Sequence, residues 1–214
     1  MYTHLKQIVK AGTPVKDAQK AIIMLHGRGS TAENIISLTR NLHLDHVAVF
    51  APKATRHSWY PYGFMAPVEE NQPALNSALE IIDDLITDIV KQGIPPDKIY
   101  LLGFSQGACL ALEYAARNAK KYAGIIAFTG GLIGEKLTES IYTGDFDHTQ
   151  VLITTGDPDA HVPLTRVKES VSIFKDLHAD VTLKVYEGRP HTIQFEEIIL
   201  ANQLIFSKNQ SVVQ

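Results

Sequence analysis

Short, uniformly apolar runs alternate along this chain with longer stretches of helical periodicity. Five of the runs are apolar at nearly every position, so both faces of the sheet that they form must be covered. This alternation is typical of consecutive βαβ units, and it predicts an α/β fold with a mostly parallel central sheet and helices on both faces. The predicted strands are residues 21–25, 47–50, 99–102, 124–128, 151–155 and 181–186, the last being the least apolar.

The segments between these runs carry helix signals. Ser30 and Glu33 form a capping box, which predicts a helix that starts at Ser30. A second helix is expected from Pro73, which suits a first turn, to a stop at Gly93. Helical patterns also cover residues 106–117, 162–177 and 191–206. We expect residues 1–206 to form a single domain and residues 207–214 to be a frayed tail.

Composition excludes several classes of function. The chain has 214 residues, 45% of them hydrophobic, and a formal net charge of −3, which fits one globular domain and argues against a nucleic-acid partner. One cysteine allows no internal disulfide, so we expect a cytoplasmic protein. The sequence has no secretory signal pattern and no apolar stretch of about 18 residues, so stable membrane insertion is not expected.

The sequence GFSQG, residues 103–107, matches the G-x-S-x-G pattern of a nucleophile elbow. It follows a predicted strand and opens a predicted helix, which is the context that such an elbow requires. The glycines leave room for a crowded turn, and the turn presents the Ser105 hydroxyl above the sheet. The alternative is that Ser105 only caps the helix.

A serine nucleophile needs a base, and the base needs an acid to orient it. In chain order after the serine, the base is expected late and on a loop at the carboxyl edge of the sheet, which favours His191 over His148 and His178. His161, on the same loop as the candidate acids, is expected to be a structural residue or to lie at the rim of a pocket, rather than to act as the base. Asp157 and Asp159 both follow a predicted strand and are equally suited as the acid on these grounds.

Two backbone N–H groups are expected to bind the oxyanion of the reaction. One belongs to Gln106, which follows the serine, and the other to Arg28 in the glycine-rich loop LHGRGS after the first predicted strand. His26 is then expected to hold that loop by hydrogen bonds. This chemistry requires no metal and no organic cofactor.

The motifs LHGRGS, GFSQGA, DAHVP and PHT, in this order, resemble the phospholipase/carboxylesterase family of the α/β-hydrolase fold, which includes the acyl-protein thioesterases. The resemblance implies Ser105 as nucleophile and His191 as base. It also implies Asp159 as the acid, through the family's D-x-x-V-P pattern, and the N–H groups of Arg28 and Gln106 as oxyanion donors. Pro190 stands where family members commonly have glycine, directly before the histidine.

Aromatic residues crowd the loop after the second predicted strand. We expect Trp59, Tyr60 and Phe64 to line a pocket for small-molecule esters or acyl groups, with Leu132 as a weaker candidate. The alternative is that these side chains fix a long loop to the core. If the loop exposes apolar surface, it also favours a homodimer.

Two other functions compete with a serine ester hydrolase. GRGSTA, between a strand and a helix, fits a dinucleotide-binding pattern and predicts an oxidoreductase. A hydrolase fold that binds a ligand without turning it over is the second alternative, because fold alone does not define function.

Overall fold

The computed structural model describes residues 1–206, and the tail predicted at 207–214 lies outside the described residues. Seven strands form one sheet in the order β1-β3-β2-β4-β5-β6-β7, parallel throughout except for β1, which pairs antiparallel with β3. The strands are β1 (Ile8–Gly12), β2 (Lys20–Leu25), β3 (Val47–Pro52), β4 (Ile99–Phe104), β5 (Gly124–Phe128), β6 (Gln150–Asp157) and β7 (Asp180–Glu187).

Helices cover both faces of the sheet, as predicted. Alternate residues of β2 show the two layers, because Ile23 packs in a core with α2, α3 and α4, and Ile22 packs in a core with α1 and α5. The helices are α1 (Ala32–Ile36), α2 (Ala74–Lys91), α3 (Gln106–Arg117), α4 (Leu164–Asp176) and α5 (Phe195–Ala201), followed by a π-helical turn (Asn202–Phe206). In residues 1–206, no helix is both long enough and apolar enough to span a bilayer.

Two predicted helix starts differ from the structure. The N-cap of α1 is Thr31, whose hydroxyl accepts a 3.2 Å hydrogen bond from the Asn34 N–H, while Glu33 pairs with Lys53 at 2.7 Å. The helix predicted from residue 191 begins only at Phe195. His191 therefore lies on a loop, where a catalytic base is free to reach its partners.

The turn at Ser105 joins β4 to α3 under tight steric constraint. Ser105 has φ 52° and ψ −118°, a conformation that is rare for a residue with a side chain, and its N–H donates to Phe128 O at 3.0 Å. A Cβ atom on Gly103 would lie 2.2 Å from Gly107 O, and one on Gly107 would lie 2.2 Å from Leu25 O. Both glycines are needed because backbone occupies the space of a side chain.

We expect Gly107→Ala to lower the free energy of unfolding by about 1–3 kcal/mol, since the methyl group would force β2 and α3 apart. Alanine's better helix propensity, about 1 kcal/mol, is too small to offset this strain. The matched control is Gly63→Ala, because a Cβ there meets no atom within 4 Å. Equal urea midpoints for the two variants would contradict the steric explanation.

Candidate active site

Three side chains meet at the carboxyl edge of the sheet. Ser105 follows β4, Asp159 follows β6 and His191 follows β7. His191 Nε2 lies 2.8 Å from Ser105 Oγ, and His191 Nδ1 lies 2.8 Å from Asp159 Oδ2. Asp157 is exposed at the end of β6, and Asp159 makes the contact to the imidazole. The structure thus brings together the three residues named by the family resemblance.

Asp159 is held as a carboxylate. Its side chain is fully buried, which by itself raises the pKa of the carboxyl. Hydrogen bonds from His191 and from the N–H groups of His161 and Val162, at 2.8 and 3.0 Å, outweigh this effect and lower the pKa below its usual value. An ionised Asp159 accepts a hydrogen bond from the His191 Nδ1–H, which leaves Nε2 as the acceptor facing the Ser105 hydroxyl.

The other late histidines occupy different places. His161 is exposed and lies edge-on to His191, with ring centroids 4.8 Å apart, at the rim of the cavity described below. His148 pairs with Asp180, and His178 pairs with Asp145. Both pairs lie at the amino ends of β6 and β7, at the opposite edge of the sheet from Ser105.

Arg28 and Gln106, the residues predicted to supply the oxyanion donors, lie near Ser105. Gln106 is the first residue of α3, so its N–H is one of the amides at a helix start that have no partner within the helix. Arg28 lies on the loop after β2, and both residues line the same cavity as Ser105. This placement is compatible with two N–H donors for an oxyanion.

The side chains of these two residues hold the aromatic loop, which is residues 53–73 between β3 and α2. Sequence reasoning missed these contacts. The Gln106 amide accepts from Trp59 N–H at 2.9 Å and donates to Tyr60 O at 2.8 Å. The Arg28 guanidinium donates to Pro61 O at 2.6 Å and to Tyr62 O. Nothing in the local sequence pattern signals these contacts, because their partners are backbone N–H and carbonyl groups more than 30 residues away in the chain.

Two buried histidines hold the same loop by hydrogen bonds to its backbone. His26 Nε2 accepts from Ala54 N–H at 3.2 Å, and His4 Nδ1 accepts from Thr55 N–H at 3.0 Å. Only a neutral imidazole has a nitrogen that accepts a hydrogen bond. Burial lowers the pKa of both histidines and so favours this neutral form. These contacts agree with the expectation that His26 has a structural role, because it connects the LHGRGS loop to the backbone at Ala54.

A cavity of about 360 Å³ opens beside Ser105. Tyr60 and Phe64 line it, as predicted, together with Phe104, Cys109 and Val162, which were not predicted. Burial raises the pKa of the Cys109 thiol to about 12, so this cysteine is a poor nucleophile at neutral pH.

Trp59 and Leu132 are not among the residues that line this cavity, so the prediction that they line the pocket is wrong. Trp59 is fully buried with its ring between His4 and His26, and its indole N–H donates to His26 O at 2.8 Å. Leu132 is also fully buried, and its N–H donates to Ser170 Oγ at 2.9 Å. Both side chains pack into the core, so the alternative of loop attachment applies to Trp59.

Comparison with known proteins identifies the family of this chain. Residues 6–206 match the phospholipase/carboxylesterase family. Acyl-protein thioesterase 1 of Kluyveromyces lactis is 25% identical over 89% of this chain and 92% of its own length. A phospholipase/carboxylesterase of Dyadobacter fermentans has a crystal structure that superposes with a TM-score of 0.95, at 59% identity over 96% of this chain and 99% of that one. Esterase PE8, at 24% identity and a TM-score of 0.79, shares the fold.

The fold and the family match define a hydrolase of the phospholipase/carboxylesterase type. The family match opposes the alternative of a dinucleotide-dependent oxidoreductase, which GRGSTA suggested. The chain belongs to the phospholipase/carboxylesterase family, which confirms the family, the fold and the enzyme class predicted from the sequence.

We expect the free energy of unfolding to decrease as the pH falls from 7 to 5, and less steeply in His26→Gln. The pKa of His26 is lowered in the folded state from its ordinary 6.5. Its contribution is therefore complete above pH 6.5 and is lost as the pH falls towards the folded-state pKa, by up to about 1.4 kcal/mol per pH unit. Glutamine keeps an acceptor for Ala54 N–H without titrating.

Urea denaturation at half-unit pH steps measures this difference. Carboxyl groups titrate in both proteins, so their effect cancels in the comparison. Parallel curves for wild type and His26→Gln would show that His26 does not couple the loop to pH.

Proposed function

We propose that Ser105 attacks the carbonyl carbon of an ester or thioester and carries the acyl group as a covalent intermediate. The observation that supports this proposal is the unbroken chain of hydrogen bonds from Ser105 Oγ through the His191 imidazole to Asp159, with 2.8 Å at each step. A serine hydroxyl is a weak nucleophile, and an imidazole at this distance is placed to remove its proton.

The same groups account for each step of the reaction. His191 Nε2 takes the proton from Ser105 as the Oγ–C bond forms, and the carboxylate of Asp159 stabilises the imidazolium. The N–H groups of Arg28 and Gln106 stabilise the negative oxygen of the tetrahedral intermediate. His191 then gives its proton to the leaving alcohol or thiol. Water, deprotonated by His191, releases the acid and restores the Ser105 hydroxyl.

We place the acyl group of the substrate in the cavity beside Ser105. Its wall contains Tyr60, Phe64 and Cys109, all of which suit an apolar chain. The volume of about 360 Å³ is near the lower end of the range for ligand pockets, about 300–1,000 Å³, which favours short acyl chains. Because the relative from K. lactis is named a thioesterase, we include thioesters among the proposed substrates.

Location and assembly are further proposals. A single cysteine, buried at position 109, supports a reducing compartment such as the cytoplasm. Tyr62 is 55% exposed and Met65 is 37% exposed on the loop beside the cavity, which supports a homodimer that covers this loop.

We expect wild-type protein to hydrolyse p-nitrophenyl esters, with kcat/KM highest among the short acyl chains of a series from acetyl to palmitoyl. Ser105→Ala should lower kcat by at least about 10³-fold, because the acyl intermediate has no other oxygen on which to form. Ser172→Ala, an exposed serine of α4, is the matched control and should retain wild-type kcat. Turnover by Ser105→Ala at the wild-type rate would refute the assignment of the nucleophile.

A further inference from the structure

An arginine on the loop that carries His191 has its side chain inside the protein. The loop spans residues 188–194 between β7 and α5, and Arg189 lies two positions before the histidine. The side chain of Arg189 is 1% exposed, and that of Glu197, in the first turn of α5, is fully buried. Charged side chains are almost never buried to this extent unless they are paired, and these two form an ion pair of 3.2 Å.

The guanidinium group connects the loop to two other parts of the chain, and it also bonds within the loop. Its Nη1 donates to Glu197 Oε2 and to Thr192 O, and its Nη2 donates to Thr129 Oγ1. Thr129 directly follows β5, and its neighbour Phe128 accepts the hydrogen bond from the Ser105 N–H. One side chain therefore links the loop of His191 to the strand end that also holds the Ser105 turn.

Glu197 extends the network to β6 and to the start of α5. Its Oε1 accepts from the hydroxyl of Thr154, and its Oε2 accepts from Gln194 N–H at 2.8 Å. Thr154 in turn accepts, through its carbonyl, a 2.7 Å bond from Thr129 N–H. Glu197 thus connects both ends of the loop, at Arg189 and Gln194, to β6, the strand that leads to Asp159.

The backbone of the loop is fixed at the same place. Arg189 O rests on Gly156 of β6, where an added Cβ atom would lie only 2.7 Å away. Pro190 restricts φ between Arg189 and His191, so the chain has little freedom over these residues. The loop is held by side chain and backbone just where it delivers the imidazole.

A buried ion pair adds little net stability to a loop, because the free energy lost on desolvation offsets the attraction between the charges. Desolvation costs several kcal/mol for each ion, and a well-packed apolar pair is often as stable or more stable. Directional hydrogen bonds have an advantage that apolar packing lacks, because they fix the register of the loop. The location of this pair, two residues from the base, points to positioning.

We propose that the buried Arg189–Glu197 pair positions His191 so that its two nitrogens meet Ser105 and Asp159 together. This inference rests on the proposed role of His191 as the base. Arg189 and Glu197 are positioning residues and do not touch the substrate. Without them the imidazole swings away from one partner, and the loss falls on kcat, since a displacement of about 1 Å in a catalytic group costs about 10²-fold.

The test compares Arg189→Met, Arg189→Lys and Glu197→Gln with Arg117→Met. Arg117 pairs at 2.7 Å with the buried Glu113 on α3, so the control breaks an ion pair with a buried acid that does not hold the His191 loop. Measurements are the melting temperature, kcat and KM for p-nitrophenyl acetate at a temperature where every variant is folded, and the low-field NMR signal of the His191 Nδ1 proton.

We expect Arg189→Met to lower kcat by about 10- to 100-fold, with KM within about twofold of wild type, and to lose the low-field signal. Arg117→Met should keep kcat within about twofold and retain the signal, even if its melting temperature falls as far. Arg189→Lys preserves the charge and should recover part of kcat. If Arg189→Met does not fold, Glu197→Gln carries the test, because glutamine retains the shape of the acid and removes its charge.

Wild-type kcat in both Arg189→Met and Glu197→Gln, or an equal loss in Arg117→Met, would overturn the positioning role. The NMR signal separates this failure from failure of the proposed function. A wild-type protein without turnover, whose signal still depends on Arg189, would refute the hydrolase mechanism and retain the positioning. A signal unchanged in both variants would refute the positioning alone.

Discussion

The close contact of α3 with the strands beneath it sets the geometry on which the site depends. Backbone atoms of Gly107 would collide with a side chain on residue 103, and backbone atoms of Leu25 would collide with one on residue 107. This contact allows the chain to reverse at Ser105 with φ 52°, so that the hydroxyl stands at the edge of the sheet and the first amide of α3 lies beside it. The proposed nucleophile and one proposed oxyanion donor therefore depend on a single steric constraint.

Residues at the site also hold the walls of the cavity in place. Arg28 and Gln106 present N–H groups near Ser105 while their side chains bind the carbonyl groups of the aromatic loop. His4 and His26 accept hydrogen bonds from backbone N–H groups of the same loop, and the Trp59 ring contacts both imidazoles. The shape of the cavity beside Ser105 and the position of the proposed oxyanion donors are consequently linked, because both depend on the same few hydrogen bonds.

Sequence patterns predicted the central part of this structure and missed its periphery. Fully buried strands are apolar at every position and are easily recognised, whereas β1 is a half-buried edge strand whose short pattern carries little signal. Physical reasoning located Ser105 and His191, but only the family resemblance separated Asp159 from Asp157. An aromatic composition does not tell which rings face a cavity, so Tyr60 was placed correctly and Trp59 was not. Arg189 and Glu197 were missed because charged residues in a loop and a first helical turn are typical of solvated surface.

In the proposed mechanism, Ser105, His191 and the two backbone donors act as one acyl-transfer site. The most direct measurement is a crystal structure of the protein after reaction with a p-nitrophenyl alkylphosphonate, whose bound form mimics the tetrahedral intermediate. We predict a covalent bond from phosphorus to Ser105 Oγ and a phosphonyl oxygen within about 3 Å of the Arg28 and Gln106 nitrogens. An unmodified Ser105, or an adduct whose oxygen points away from both nitrogens, would contradict this account.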